Sequence, residues 1–242
     1  MIQIFWKELS SFFSSLIAYL VVGIFLIITG LLTWVFPETS VLTYGFADMA
    51  TLFSIGPYVF MFLIPAITMR SFAEEKKTGT IEMLFTKPIS EWDIILGKYF
   101  ASLAIVLLAI VPTTVYFYSI YHLGNPVGNI DVSGVVGSYI GLFFLGAIFT
   151  AIGIFASSLS DNQIVAFILA VFMVFVFYTG FSSLAQLPSL SSMGVKVMQL
   201  GILYHYEIMS KGLIDLRNVV YFVSVSAFFI LCTQFVLSSR KW

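Results

Sequence analysis

Six uncharged apolar runs constrain this chain more than any other feature: residues 16–36, 49–69, 99–121, 135–158, 164–184 and 219–237. Each matches the roughly 20 residues a helix needs to cross the hydrocarbon core of a bilayer. They can only be helices, because a lipid-exposed strand leaves backbone groups unpaired. The whole chain is 60% hydrophobic and 10% charged, whereas a soluble domain is about a quarter charged. It cannot cover itself with polar surface, so lipid is its solvent. The sequence therefore reads as an all-α polytopic membrane protein with six transmembrane helices, forming one domain over residues 1–242. Net charge is −1, which calls for no polyanionic partner and excludes a nucleic-acid role. Cys232 is the single cysteine and cannot form an internal disulfide. The first run is too long, and its flanks too poor in small residues, for a cleaved signal peptide. It is expected to be retained.

Basic residues near the ends of the runs set the orientation. With six spans both termini share a side. That side carries Lys7, Arg70, Lys76, Lys77, Lys87, Lys98, Arg240 and Lys241, against Lys196, Lys211 and Arg217 on the other. The expectation is a multi-pass protein of the bacterial cytoplasmic (inner) membrane with both termini cytosolic.

Three flanking pieces complete the layout. In residues 1–15 the apolar positions Ile2, Phe5, Trp6, Leu9, Phe12 and Phe13 recur at helical spacing, with Lys7, Ser10, Ser11 and Ser14 mostly opposite. This predicts a helix lying in the cytosolic interface, with Phe5, Trp6, Lys7 and Glu8 at the boundary; the alternative is a plain cytosolic extension of the first span. Residues 122–134 are rich in Gly, Asn and Pro and predict an exterior loop. Residues 185–218 are broken by Pro188, Gly194, Gly201 and Gly212, and are too polar to span. They predict outer re-entrant or surface-lying helices before the last span. Trp34 and Tyr44 suit an aromatic belt.

Residues 70–98 hold ten of the 23 charged residues. Gly79 and Pro88 divide the segment, so it reads as helix, break, short helix from Thr80 to Phe85, break, helix. Ser71-x-x-Glu74 has capping-box spacing, although continuation of the second span is the plainer reading. Ser90-x-x-Asp93 is a second capping signature. The positive-inside rule explains the lysines but not the five acids, since acids contribute little to topology. A structured loop of this kind suits docking against a cytosolic protein.

In this segment Glu74-Glu75-x-x-x-Gly79-Thr80-Ile81-Glu82-x-Leu84, then Pro88, then Leu96-Gly97-Lys98, resembles the signature of type-2 ABC exporter permeases. A second similar stretch runs from His205-Tyr206-Glu207 through Lys211, Gly212 and Asp215 to Asn218. Overall, the chain is most similar to permeases of gliding-motility-associated ABC transporters. The resemblance implies six spans, an elbow helix before the first and a coupling helix between the second and third. It implies two permease subunits, identical or not, above a cytosolic ABC ATP-binding subunit that carries the ATP and magnesium. On that reading Thr80, Ile81, Glu82, Leu84 and Phe85 form the coupling helix. Glu74 and Glu75 sit at the membrane-proximal end of the joint, Gly79 allows the sharp turn, and Gly97 and Lys98 mark where the third span leaves the surface. His205, Glu207, Gly212 and Asp215 belong to the outer segment.

The chain's own chemistry agrees with that division of labour. It has no Gly-x-x-x-x-Gly-Lys-Ser/Thr loop to cradle phosphates, so it is not expected to be an enzyme or to bind a cofactor. Its two histidines, His122 and His205, lie near span edges and assemble no metal site. The chief alternative is a secondary transporter or channel. Proton-coupled carriers keep ionisable groups near the bilayer centre, and these runs have none. A non-transporting membrane scaffold is a third class. Pro57, Pro65 and Pro112 are expected to kink their spans. Gly137, Gly141, Gly146, Thr150 and Gly153 give the fourth run a small-residue surface for close packing, within a subunit or across a dimer.

Overall fold

A computed structural model of the chain describes residues 1–85, 89–188, 193–213 and 215–239, and also leaves aside the side chains of Tyr44, Met83, Leu84 and Phe85. Pro88, the side chains of Leu84 and Phe85, the aromatic-belt position Tyr44 and the basic residues Lys87, Arg240 and Lys241 therefore lie outside the described residues.

The molecule is all-helical, with no strand among the described residues. The described residues form fourteen α-helices in order: α1 (Ile2–Ser14), α2 (Leu16–Trp34), α3 (Val41–Tyr44), α4 (Ala50–Thr68), α5 (Arg70–Lys77), α6 (Thr80–Phe85), α7 (Glu91–Ile110), α8 (Thr114–Leu123), α9 (Val132–Leu159), α10 (Gln163–Phe175), α11 (Phe181–Ala185), α12 (Gly194–Met198), α13 (Ile202–Ser210) and α14 (Leu216–Ser238). Among the described residues six stretches are long and apolar enough to cross a membrane: α2, α4 with α5, α7 with α8, α9, α10 with α11, and α14. Between α1 and α2, Ser15 adopts an extended conformation, so α1 is a separate helix.

The helix α9 is the axis of the bundle. It packs against α4, α5, α7, α10, α13 and α14, and 78% of its apolar window is buried, against 28% for α2 and 22% for α10. Its glycines explain why so many neighbours fit around it. A methyl group on Gly146 would sit 2.7 Å from Val106 Cγ1. One on Gly137 would run into the Met209 carbonyl, and one on Gly153 into Thr68. The small-residue surface of the fourth run is thus consumed within one chain, by α4, α7 and α13. Without a hydrophobic driving force between helices in lipid, this closeness, with its dispersion contacts, is what holds them together. The peripheral helices α2, α10 and α14 leave large apolar side chains outside, such as Leu16, Ile168, Phe172 and Phe235, as a lipid-facing surface requires.

Several threonines inside the spans return hydrogen bonds to their own helices. Thr29 donates to the Phe25 carbonyl (2.7 Å), Thr150 to Gly146 (2.7 Å) and Thr233 to Phe229 (2.9 Å). Around Pro112 the third span tightens into a 3₁₀ turn, Val111–Thr113, and Thr113 and Thr114 donate to the carbonyls of Ile110 and Val111. Proline removes the donor that its i−4 carbonyl needs. In α4, Pro57 frees the carbonyl of Phe53, and the Tyr206 hydroxyl of α13 donates to it at 2.6 Å. Burial pushes the Tyr206 phenol far above its usual range, so it stays protonated and able to donate. Pro57 thus anchors the helices of residues 194–210 to the second span.

Tyr206→Phe strands that carbonyl at a cost of about 1–3 kcal/mol. The expected result is a Tm several degrees lower for the purified protein in detergent; an unchanged Tm would show that the Phe53 carbonyl has another donor.

Candidate functional site

At the end of the bundle that carries α1, the second span does not stop with the apolar core. Its helical ladder is interrupted at Met69 and resumes as α5. The interruption has an identifiable cause, a side chain inserted into the backbone ladder. Ser157 of α9, fully buried, accepts from the N–H groups of Phe72 (3.0 Å) and Ala73 (3.1 Å) and donates to the carbonyl of Met69 (2.9 Å). One hydroxyl thereby satisfies three backbone groups at the break. Further along, the Lys76 ammonium donates to the carbonyl of Ser158. These contacts fix α5 to the end of α9.

On its other side α5 meets α1 and α7 through ions. Lys98 is only 2% exposed. Its ammonium lies 3.0 Å from Glu8 Oε1 and 2.9 Å from Glu75 Oε1, and 5.2 Å from the centre of the Phe72 ring. Lys7 stands 3.5 Å from the same two carboxylate oxygens. Two lysines and two glutamates from three helices form one neutral cluster. Gly97 lets it close: a methyl group there would sit 2.8 Å from Ile4 Cγ2, so only glycine admits α1 against α7. The second carboxylate oxygen of Glu75 is buried and has no hydrogen-bond partner among the described residues. A cleft of about 230 Å³ opens beside it, lined in part by Glu8, Glu75, Thr80 and Lys98. Glu74 faces a different way and forms a bidentate pair with Arg70 on its own helix, at 2.8 and 3.1 Å.

The chain then turns sharply. Thr78 N–H bonds to the Glu74 carbonyl (3.0 Å) and Gly79 N–H to that of Lys76 (3.2 Å). Gly79 has φ +71, in the left-handed region that costs a side chain-bearing residue free energy. Beyond it Thr78 and Thr80 share a 2.9 Å hydroxyl contact. On α6, Ile81 is buried in the core while Glu82 is exposed. Re-entry into the membrane is capped by Ser90, whose hydroxyl accepts from Asp93 N–H (3.1 Å) and donates to the Asp93 carboxylate (2.8 Å). The Ser71 signature caps nothing; α5 begins from Met69 without a side-chain cap.

The outer-segment residues lie at the opposite end of the bundle. His205 Nε2 donates to the Gln199 carbonyl (2.9 Å), Nδ1 lies 2.8 Å from the Asn218 side chain, and the ring stacks on Tyr221 at 3.8 Å. It clamps α13 to α14. Asp215 caps α14 by accepting from Arg217 N–H at 3.0 Å. Gly212, with φ +79, packs on the backbone of Ser133 and Gly134. Glu207 is exposed.

The structure brings together Glu75, Lys98, Glu8 and Lys7, which the motif reading had assigned to separate pieces. It adds Ser157 and Phe72. Ser157 carries no sequence signal, because its partners are 84 to 88 residues away. Lys98 did carry one: a lysine between Leu96-Gly97 and Tyr99-Phe100 needs a counter-ion wherever it is buried. No group of three or more His, Cys, Asp and Glu positioned for a metal ion occurs among the described residues.

Removing one member of a buried ion cluster strands the others, typically at about 3–5 kcal/mol. Lys98→Met should lower the Tm of the detergent-solubilised protein strongly, and adding Glu8→Gln and Glu75→Gln should recover most of the loss. A triple variant no more stable than Lys98→Met would argue against charge as the cause.

Comparison with curated proteins finds no match. The family model described as "ABC-2 family transporter protein" matches residues 36–239, from the end of α2 to the end of α14. The chain therefore belongs to the ABC-2 transporter family, as a multi-pass membrane permease subunit of an ABC transporter and not its ATPase.

Proposed function

We propose that the chain is the transmembrane subunit of an ATP-driven exporter in which α6 docks on a separate cytosolic ATP-binding subunit and α5 carries its movement into the spans. Two permease copies, identical or different, complete the transporter. The proposed location is the bacterial inner membrane with both termini cytosolic, supported by the bias of basic residues toward the α1 end. Gliding motility is the proposed process, supported by overall sequence resemblance to permeases of that kind.

The observation that carries the reading is the fixation of α5 on two sides. Ser157 and the Ser158 carbonyl hold it to α9, and the Glu75–Lys98–Glu8 cluster holds it to α7 and α1. A loop meant only to join two antiparallel spans needs a few residues and no such anchoring. An arm clamped to the central helix, the third span and the interfacial helix would pass a push on α6 to all three at once. Glu82, exposed next to buried Ile81, is the natural contact for a basic residue of the ATPase. A rim charge of this kind sets register and association rate more than affinity. Gly79 would keep α6 at its angle to α5.

A side chain at Gly79 costs about 1–3 kcal/mol of local strain in this conformation. Gly79→Leu and Glu82→Lys are expected to leave membrane insertion intact but to reduce permease-stimulated ATP hydrolysis several-fold in the co-purified complex in nanodiscs. Full stimulation in both variants, with the ATPase still bound, would overturn the coupling role of α6.

A further inference from the structure

The end of the bundle opposite the ion cluster holds a cleft of about 580 Å³ between α4, α9, α13 and the π-helical turn Val176–Gly180 that follows α10. That volume falls in the range of small-molecule sites. Three carboxylates line it, those of Asp48, Asp131 and Glu207, and so do three tyrosines, Tyr58, Tyr178 and Tyr206. Among the described residues no lysine or arginine does. None of the three acids forms an ion pair among the described residues. Asp48 accepts only from Ala50 N–H (3.3 Å), and Asp131 from Ser133 Oγ (2.6 Å) and Gly134 N–H (3.0 Å). Those donors hold the Asp131 carboxyl below the usual carboxylate range, so it is ionised at neutral pH. Glu207's carboxylate has no protein partner among the described residues.

A second observation points into the same space. Tyr178 is 2% exposed and lines the cleft, yet its hydroxyl has no hydrogen-bond partner among the described residues. It stands on a π-helical turn, Val176–Gly180, that interrupts the fifth span. The buried positions of that span are Ala166, Ala170, Val174 and Tyr178, four residues apart. Such π turns re-aim side chains and recur at functional sites. The Tyr58 ring lies 5.8 Å from that of Tyr178, edge to face. Tyr58 is eight residues into α4, about 12 Å below its start, so the cleft reaches well into the span. Uncompensated carboxylates at the mouth and aromatic rings at depth are the pairing that holds an organic cation, by charge attraction and by cation–π contact.

We propose that this cleft binds an amphiphilic organic cation, an ammonium or comparable group carrying apolar substituents. As the substrate class of the permease this rests on the exporter reading above; as a binding site it does not.

The test uses the full chain alone in nanodiscs, without any ATPase, and measures equilibrium binding of tetraphenylphosphonium after subtracting protein-free discs. Tetraphenylborate, of the same shape and opposite charge, is the control for greasy partitioning. Saturable binding of the cation at least about tenfold tighter than the anion is expected, since like charges repel at such a site. Glu207→Gln should weaken it about fivefold and Tyr58→Leu about two- to fivefold. Equal binding of the two ions, no saturable cation binding, or full affinity in Glu207→Gln would overturn the proposal. Glu207 is exposed, so its variant tests the site without testing the fold. Discs with a constant half of phosphatidylglycerol and the remainder either a glucosyl diacylglycerol or phosphatidylethanolamine separate the sources. Weaker probe binding with the amine lipid identifies a lipid headgroup as the competing occupant, and equal binding identifies a free cation; either supports the site. Loss of ATPase stimulation in α6 variants bears on the exporter reading alone, and loss of probe binding bears on the cleft alone.

Discussion

A backbone group that loses its helical partner inside an apolar medium has no water to turn to, and the long-range contacts of this molecule follow from that constraint. Where Pro57 frees the Phe53 carbonyl, a tyrosine from 153 positions away fills it. Where the ladder of the second span breaks at Met69, Ser157 takes up two N–H groups and one carbonyl. Each repair joins two helices, so the irregularities of α4 and α5 become fixed attachment points. Those points need neighbours close enough to reach, and the glycines of α9 supply that closeness.

The ion cluster at the α1 end obeys the same rule applied to charge. Lys98 is too buried to be hydrated, so Glu8 and Glu75 neutralise it from two other helices. An apolar substitute of equal volume would be about as stable. What the charges add is direction: they specify that α1, α5 and α7 meet at one point and in one register. That geometry lies directly above the turn at Gly79, where the polar segment leaves the bundle. The other end treats charge in the opposite way. Asp48, Asp131 and Glu207 surround a cleft with no cation of the described chain beside them. One end of the bundle thus holds a self-neutralised cluster and the other an unneutralised cleft.

Much of the architecture was legible from residue order alone. Six apolar runs, the amphipathic start, the Ser90–Asp93 cap and the Gly79 turn are local features, decided by burial in lipid and by backbone conformation within a few residues. Ser71 shows the limit of that approach. Its capping spacing is present, yet the helix arrives already formed from α4 and leaves the hydroxyl nothing to cap. The Ser90 signature shows where it succeeds: the helix that enters the third apolar run begins at Glu91, with Ser90 as its cap.

The sequence by itself determined the class of solvent, the number of crossings and the position of the charged turn, because hydrophobic length and glycine conformation are properties of short stretches. Only the tertiary structure decided that Glu8 and Glu75 converge on Lys98 and that Ser157 sits under α5. It also decided that the small-residue face of α9 is spent inside one chain, and that three tyrosines and three acids share a cleft. Those are pairings between helices 23 to 153 residues apart. Which helices become neighbours is set by how side chains interlock across the whole bundle, and no local pattern encodes it.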